Sequence, residues 1–429
     1  MSHLVVLMNG IEAGRLDYER GRLSLAYAQG WRERSEAIPI SLSMPLTGAS
    51  YTGAEVGAFV WGLLPDNEQI IQEWARRFHV SARQPFGLIG AVGEDCAGAV
   101  QFVVPDRVAA VLSGDLDGVE WLTTTEVAER LAGLRTNRGA WRRVGDGGQF
   151  SLAGAQPKIA LIQQDGRWGI PTGRVPTTHI LKPPSTDFEA HAQNEHFCLS
   201  VLGRLGLPVA QSSVQAFDNE VAIVVERYDR LATPEGIIRI HQEDFCQALG
   251  VPPDRKYQNE KGPGLREIIT LIREVSSAPR EDVETMVDAS IFNWIVGGSD
   301  AHAKNFSLLH TGGGRARLAP LYDVASILPY APQVQFQDVK LAMKIGGEYR
   351  LSEIGLRHWE RFAGENRLDF DQVRARIARM VDQLPDLAAA VRDQIADAGA
   401  GHPLNDRLVA VFADRSQWVA QLDGMAKGT

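Results

Sequence analysis

The stretch Gly298-Ser299-Asp300-Ala301-His302-Ala303-Lys304-Asn305 sets a carboxylate, an imidazole, an ammonium and an amide close together. An apolar run with Ile291, Trp294 and Ile295 on one side of a helix precedes it. Gly297-Gly298 marks the helix end, so Asp300 falls in a loop. An Asp followed by an Asn at the spacing Asp-x-x-x-x-Asn suits phosphoryl transfer. The carboxylate can take the proton of an attacking hydroxyl, and the amide oxygen can help hold a magnesium ion. Beyond Asn305 come an apolar run at 306–309, the turn Gly312-Gly313-Gly314, and Leu318-Ala319-Pro320-Leu321-Tyr322-Asp323. A hairpin there would return Asp323 to the neighbourhood of Asn305. A second carboxylate at that point suits Mg²⁺, which takes oxygen ligands and few of them from protein. The plainer alternative is that Asp300 caps a turn and Asp323 is a surface polar residue. His302 reads either as a residue that orients the loop or as a base.

Two further groups lie upstream. Residues 145–158, Gly145-Asp146-Gly147-Gly148-Gln149-Phe150-Ser151-Leu152-Ala153-Gly154-Ala155-Gln156-Pro157-Lys158, form a small-residue segment entering a strand. Glycines let backbone N–H groups approach phosphate oxygens, although the segment is neither a Walker A sequence nor a clean G-x-G-x-x-G, and an ordinary loop is the alternative. Lys182 ends a β-like run, and Glu195 follows on the next helix. A strand lysine held by a helix glutamate can contact nucleotide phosphates, whereas a lone strand-end lysine is otherwise simply solvated. The five features occur in the order cradle, lysine, glutamate, Asp-x-x-x-x-Asn, second Asp, and coincidence in that order is hard to arrange.

The elements that must position these residues follow from periodicity and punctuation. The N-terminal part opens with a strand over 4–8 closed by Asn9-Gly10, and Leu23, Leu25 and Tyr27 alternate at period two. Helices are expected over 57–64, 67–77 and 125–134, with a domain boundary in the polar, glycine-rich residues 135–148. Strands are expected over 158–163, alternating in burial, over 178–181 and over 221–225. Helices are expected over 189–205, 265–275 and 281–296, and over 371–397 with a break at Pro385. The fold class expected is α+β: a two-lobed, protein-kinase-like fold with a mixed α/β N-terminal part and a mainly helical C-terminal lobe. The domains expected are 1–140 and 141–429, the latter split into a nucleotide-binding part at 141–240 and a helical lobe at 241–429.

Composition narrows the class. The chain has 429 residues, of which 44% are hydrophobic and 23% charged, and it carries a net charge of −9. That charge argues against gripping nucleic acid by bulk electrostatics, although a local basic face could still do so. No apolar run approaches the ~20 residues of a membrane span, and the N-terminus lacks the pattern of a signal peptide. Cys96, Cys198 and Cys246 are far apart and odd in number, which fits reduced, buried thiols in a cytoplasmic protein.

Over nearly its whole length the chain resembles the HipA toxin kinases of bacterial toxin–antitoxin systems. The resemblance runs through Ser41-Leu42-Ser43-Met44-Pro45-Leu46, Leu63-Leu64-Pro65-Asp66 and Arg83-Gln84-Pro85-Phe86-Gly87-Leu88. It continues in Ser151 to Lys158, Thr178-His179-Ile180-Leu181-Lys182, Asn194-Glu195 and Glu226-Arg227-Tyr228-Asp229-Arg230, and closes with Gln242-Glu243-Asp244-Phe245-Cys246-Gln247, Asp300 to Asn305 and Tyr322-Asp323. It implies an ATP- and Mg²⁺-dependent serine/threonine kinase. The catalytic base then falls on Asp300, and the magnesium ligands fall on Asn305 and Asp323. The nucleotide contacts fall on Ala153, Gly154, Ala155, Gln156, Pro157, Lys158, Lys182, Glu226, Arg227, Tyr228, His302, Lys304, Asn305, Tyr322 and Asp323, and the autophosphorylated serine on Ser151. The implied partners are a HipB-like helix-turn-helix antitoxin, operator DNA through that complex, and a protein substrate of the aminoacyl-tRNA synthetase class, with no membrane association.

The sequence departs from the family in a short span between Lys182 and Asn194 and in a poorly matching stretch at 350–367, so no DNA-contact residue carries over. No Asp-Phe-Gly or Ala-Pro-Glu occurs. Two competing classes are a catalytically idle antitoxin-binding homologue and a metal phosphohydrolase using Asp300, His302 and Asp323. The second normally needs more histidine or carboxylate ligands than stand here.

Overall fold

The computed structural model describes residues 2–136, 150–184 and 188–422. The glycine-rich residues 145–149 and most of the expected boundary at 135–148 lie outside them. The chain divides into two compact units, each drawn from three segments. One comprises Met1–Pro183, Ala216–Lys256 and Ser307–Ala316. The other comprises Pro184–Gln215, Tyr257–Phe306 and Arg317–Thr429.

The first unit is mixed α/β. Its N-terminal sheet is antiparallel, in the order Ser50–Tyr51, Arg22–Tyr27, Ile11–Glu19, Ser2–Met8, Val100–Val103. Asn9 and Gly10 take positive φ at the first hairpin, as an Asn-Gly turn requires. The helices Ala54–Gly62, Glu68–Arg77 and Pro85–Val92 follow. Asn67 caps the second of these by accepting from the Gln69 and Ile70 amides. A second sheet runs Ser212–Phe217, Glu220–Glu226, His179–Lys182, Ile159–Gln164, Arg167–Thr172, Gly118–Leu122. One apolar core spans both sheets, from Leu4, Val6 and Leu16 to Leu161, Leu181 and Val224. The strand Ile159–Gln164 does not alternate as the sequence suggests: Ile159, Ala160, Leu161 and Ile162 are all buried. It is an interior strand flanked on both edges, so side chains on both faces pack.

A polar joint ties the Ser41-Leu42-Ser43 segment to the strand Gln242–Asp244 within this unit. Buried Glu243 accepts from Ser41 Oγ at 2.5 Å and from the Leu42 amide at 2.8 Å. His310 Nε2 pairs with the same carboxylate at 2.8 Å, and its ring stacks on His241.

The second unit is mainly helical: His191–Arg204, Leu265–Val275, Pro279–Val296, Leu356–Glu365, Phe370–Asp397 and Pro403–Leu422. Helix Pro279–Val296 is buried on every side over its last two turns, so it is an interior helix and not an amphipathic one. Phe370–Asp397 runs unbroken through Pro385, against the expectation of a break. A helix-interior proline costs about 3 kcal/mol. Val373, Ile377, Val381 and Leu384 before it and Ala388, Val391 and Ile395 after it are buried. At about 1.5–3 kcal/mol for each large apolar side chain buried, packing on both sides outweighs the proline.

Candidate functional site

In the second unit, helix Pro279–Val296 stops at Gly297, whose φ of +72° lets the chain turn. A Cβ there would strike the Leu328 side chain. Asp300 follows in an exposed loop, where the Tyr257 hydroxyl donates to Asp300 Oδ1 at 2.5 Å. The loop is wound tightly: the His302 amide donates to the Asp300 carbonyl and the Asn305 amide to the His302 carbonyl. The Tyr257 ring meets the buried His302 ring edge-on at 4.9 Å. Asn305 Nδ2 also donates to the Asp300 carbonyl at 2.8 Å. That bond engages the amide nitrogen, and the side-chain oxygen is the atom of this group able to ligate a cation.

The expected hairpin is present, as strands Ser307–Thr311 and Arg315–Leu318 pair in one sheet. The chain then returns. The Tyr322 hydroxyl donates to the Lys304 carbonyl at 2.8 Å, so Tyr322-Asp323 lies against Lys304-Asn305. Asp323 has φ +57°, a left-handed conformation unusual for a residue with a Cβ. Such strain persists only where surrounding contacts over-determine it, and it gathers at functional sites. Among the described residues no group of three or more His, Cys, Asp or Glu is placed to hold a metal. An Asn–Asp oxygen pair is instead the sparse protein contribution that suits magnesium.

The first unit holds the other predicted residues. Ser151 is fully buried; its hydroxyl donates to the Leu63 carbonyl at 2.7 Å, and its amide donates to the Asp95 carbonyl. Leu63 ends helix Ala54–Gly62, so the serine satisfies a carbonyl with no partner inside the helix. From there Leu152-Ala153-Gly154-Ala155-Gln156-Pro157-Lys158 runs as a loop. Gly154 sits at φ +109°, and a Cβ there would meet the Lys158 ammonium, which bonds the Ala153 carbonyl. The Asp66 amide donates to the Gly154 carbonyl, and Gln156 Nε2 reaches the Pro183 carbonyl. The loop thereby touches the end of the strand His179–Lys182. Lys182 is 7% exposed and pairs in register with Ile223. In the same ladder Glu226, which is exposed, stands opposite His179. The Arg227 amide donates to the Thr178 carbonyl, and the Tyr228 hydroxyl to Gln242.

The Arg227 side chain points inward, into a charged cluster that the sequence analysis did not anticipate. Arg227 contacts Asp229, Asp95, Thr177 and the Cys96 carbonyl, while Arg230 and Arg239 also reach Asp95. Burial would raise the Asp95 carboxyl, but Arg230, Arg239 and Arg227, with the Thr177 hydroxyl, hold it well below the usual carboxylate range. The partners lie up to 144 residues apart, beyond any spacing rule. Burial, together with the Asp95 charge, pushes the neighbouring Cys96 thiol up to about 12, so it stays protonated. The three free cysteines are all buried, as expected. No helix among the described residues is long and apolar enough to cross a membrane.

The fold and these sequence motifs have known counterparts. The HipA-like C-terminal domain model matches residues 150–388, and the HipA N-terminal domain model matches residues 4–103. The chain belongs to the HipA family of kinase toxins. It is 36% identical to the putative kinase Y4mE of Sinorhizobium fredii, over 92% of this chain and 93% of that protein. It is 30% identical to the serine/threonine-protein kinase toxin HipA of Shewanella oneidensis, over 75% of this chain and 73% of that one. The fold matches that of the S. oneidensis HipA solved with HipB and operator DNA. The TM-score is 0.82 at 22% identity, over 98% of both chains, which places this chain in the same kinase-like fold class.

Proposed function

We propose that the chain is an ATP- and Mg²⁺-dependent serine/threonine kinase that transfers the terminal phosphate of ATP to a protein hydroxyl. Asp300 accepts the hydroxyl proton as that oxygen bonds to phosphorus and the bond to the ADP oxygen breaks. Asn305 and Asp323 present side-chain oxygens to magnesium. Magnesium held there would supply charge neutralisation at the phosphate oxygens. Lys182 offers a point charge to phosphate. The backbone of Ala153 to Lys158 cradles phosphate, and Glu226-Arg227-Tyr228 borders the base. His302, Lys304 and Tyr322 complete the nucleotide contacts. The observation that carries this reading is the return of Tyr322-Asp323 against Lys304-Asn305, with Asn305 Nδ2 engaged by the Asp300 carbonyl and Asp323 at φ +57°.

The substrate proposed is an aminoacyl-tRNA synthetase, and the partner a HipB-like antitoxin that carries the pair to operator DNA. The S. oneidensis HipA solved with HipB and operator DNA supports the partner. A net charge of −9 supports DNA contact mainly through that partner.

Ser151 is proposed as the autophosphorylation site. Its burial means that the loop must leave its dock before transfer, which favours transfer between two molecules. A phosphoserine, with about −1.5 to −2 charges, could not return to the Leu63 carbonyl, so the modified loop stays out and activity falls. Incubation with Mg·ATP followed by peptide mass analysis should find one phosphate on Ser151 and declining turnover. A Ser151-phosphorylated protein with full ATP affinity and turnover would refute the switch, and absence of any phosphate transfer, to itself or to proteins of a host lysate, would refute the kinase.

A further inference from the structure

Asn194 has a place in the second unit that the catalytic reading leaves unused. It is 0% exposed on helix His191–Arg204, next to Glu195. Its amide binds the backbone of one distant residue twice. Asn194 Nδ2 donates to the Ser326 carbonyl at 2.7 Å, and Oδ1 accepts from the Ser326 amide at 2.9 Å. The second Nδ2 hydrogen reaches the Tyr330 hydroxyl at 3.1 Å, and Oδ1 also accepts from Cys198 Sγ. Every bonding direction of this side chain is therefore used. Among side chains short enough for this site, only asparagine offers a donor and an acceptor side by side. Aspartate lacks the donor, and glutamine is one methylene too long.

Ser326 is itself a junction. Its hydroxyl donates to the Val296 carbonyl at 2.5 Å, and the Ile327 amide donates to the Gly297 carbonyl at 3.1 Å. These bonds stitch the segment three residues after Asp323 to the helix end three residues before Asp300. On the other side of Asp323, Leu321 is bonded in both directions to residues 208 and 210, and Tyr322 to Lys304. Asp323 is thus fixed from both sides while its own φ stays at +57°. Release of the downstream side would let the left-handed residue relax.

We infer that Asn194 is a positioning residue for the Asp323 carboxylate: by clamping Ser326 to the end of the Asp300 helix, it sets the affinity of the site for magnesium. This rests on the reading of Asp323 as a magnesium ligand. The Asn194→Asp variant keeps shape and removes the amide donor, while Ser326→Ala keeps both backbone bonds to Asn194 and loses the hydroxyl's stitch to Val296 and its bond from the Leu328 amide. Calorimetric ATP binding over a magnesium titration should show half-saturating magnesium raised about tenfold in Asn194→Asp and about threefold in Ser326→Ala. The affinity for ATP in the absence of magnesium should be unchanged.

A control, Val381→Ala on helix Phe370–Asp397, should lower the melting temperature and leave the magnesium dependence alone. Asp323→Ala is run in parallel. If Asp323→Ala shifts the magnesium dependence but folded Asn194→Asp and Ser326→Ala both match wild type, the inference fails and the kinase reading stands. If the control shifts magnesium as far as Asn194→Asp does, the effect is general loosening and the inference fails as well. If Asp323→Ala leaves magnesium dependence untouched, the ligand assignment and the inference fall together. Should Asn194→Asp not fold, Ser326→Ala decides.

Discussion

In the unit that holds Lys182 the frame is built from charge. Asp95 and Asp229 sit among Arg227, Arg230 and Arg239, with side chains 7% exposed or less. In the unit that holds Asp300, Asn305 and Asp323 the frame is built from neutral groups: the Asn194 amide, the Ser326 and Tyr322 hydroxyls, and backbone carbonyls. Arg415, a buried cation near that frame, bonds the Trp294 and Ile295 carbonyls at the end of helix Pro279–Val296 and stacks on Phe336 and Trp418. The difference has a physical logic. Beside the proposed magnesium site, fixed ions would compete with the metal or with its carboxylate, whereas amides and hydroxyls hold geometry without adding net charge. The strand that ends at Lys182 and the segment Glu226-Arg227-Tyr228 can tolerate a buried ionic frame, because its charges are satisfied internally.

The contrast can be broken from either side. Asp95→Asn leaves three guanidinium groups around a neutral amide, and removing one member of a buried ionic cluster costs about 3–5 kcal/mol. Chemical denaturation followed by fluorescence should report a loss of that size. A loss below about 1 kcal/mol would mean that the ions are not what holds this unit. Asp300→Asn should act on rate and not on stability. Transfer should fall by about 10² or more, equivalent to about 3 kcal/mol of barrier, with Mg·ATP affinity and melting temperature near wild type. Near wild-type transfer would remove Asp300 as the base. Lys182→Ala should weaken ATP binding through loss of one charge–phosphate contact, by about tenfold, and titration calorimetry reads it directly. Tyr257→Phe removes one neutral donor from Asp300, and a hydrogen bond of about 1 kcal/mol predicts a rate loss of about fivefold.

The smallest effect expected is in acid. The Asp95 carboxyl is depressed in the folded protein, so its contribution is complete above the ordinary carboxylate pKa of about 4. That contribution is lost as pH falls below about 4 toward the depressed folded value. Stability between pH 7 and 5 should therefore owe nothing to this cluster, and the Asp95→Asn deficit should shrink only in the acid range. A deficit that already vanishes by pH 6 would contradict the assignment of the charge to Asp95.

What the sequence revealed divides along the same line. The Asp300–Asn305 loop, the glycine turn and the returning Tyr322-Asp323 lie within 24 residues, and their geometry follows from local punctuation. Lys182 at a strand end was readable for the same reason. The ionic cluster was not, because Asp95 meets arginines 132 to 144 residues away. Asn194 was visible as part of a motif, but its hold on Ser326 crosses 132 residues and leaves no periodic trace. The unbroken helix across Pro385 was misread because a local rule met a packing term that only the assembled neighbours supply. A signal for the cluster did exist in the run Arg227-Tyr228-Asp229-Arg230, too ionic for the edge of a buried strand unless partners wait elsewhere.

The segmented make-up of the first unit carries a consequence for biosynthesis. A ribosome that has translated 306 residues has produced every strand of that unit's two larger sheets, yet not Ser307–Thr311. Until that strand emerges, Glu243 holds Ser41 and Leu42 without His310. The Asp300 loop thus leaves the ribosome before the unit containing Lys182 can be finished. Closing that unit waits on a contact of long sequence separation, the slow kind to form. The residues from Ser307 onward, made at about 5–20 residues per second, therefore complete both units late. That interval is open to a binding partner before either unit is whole.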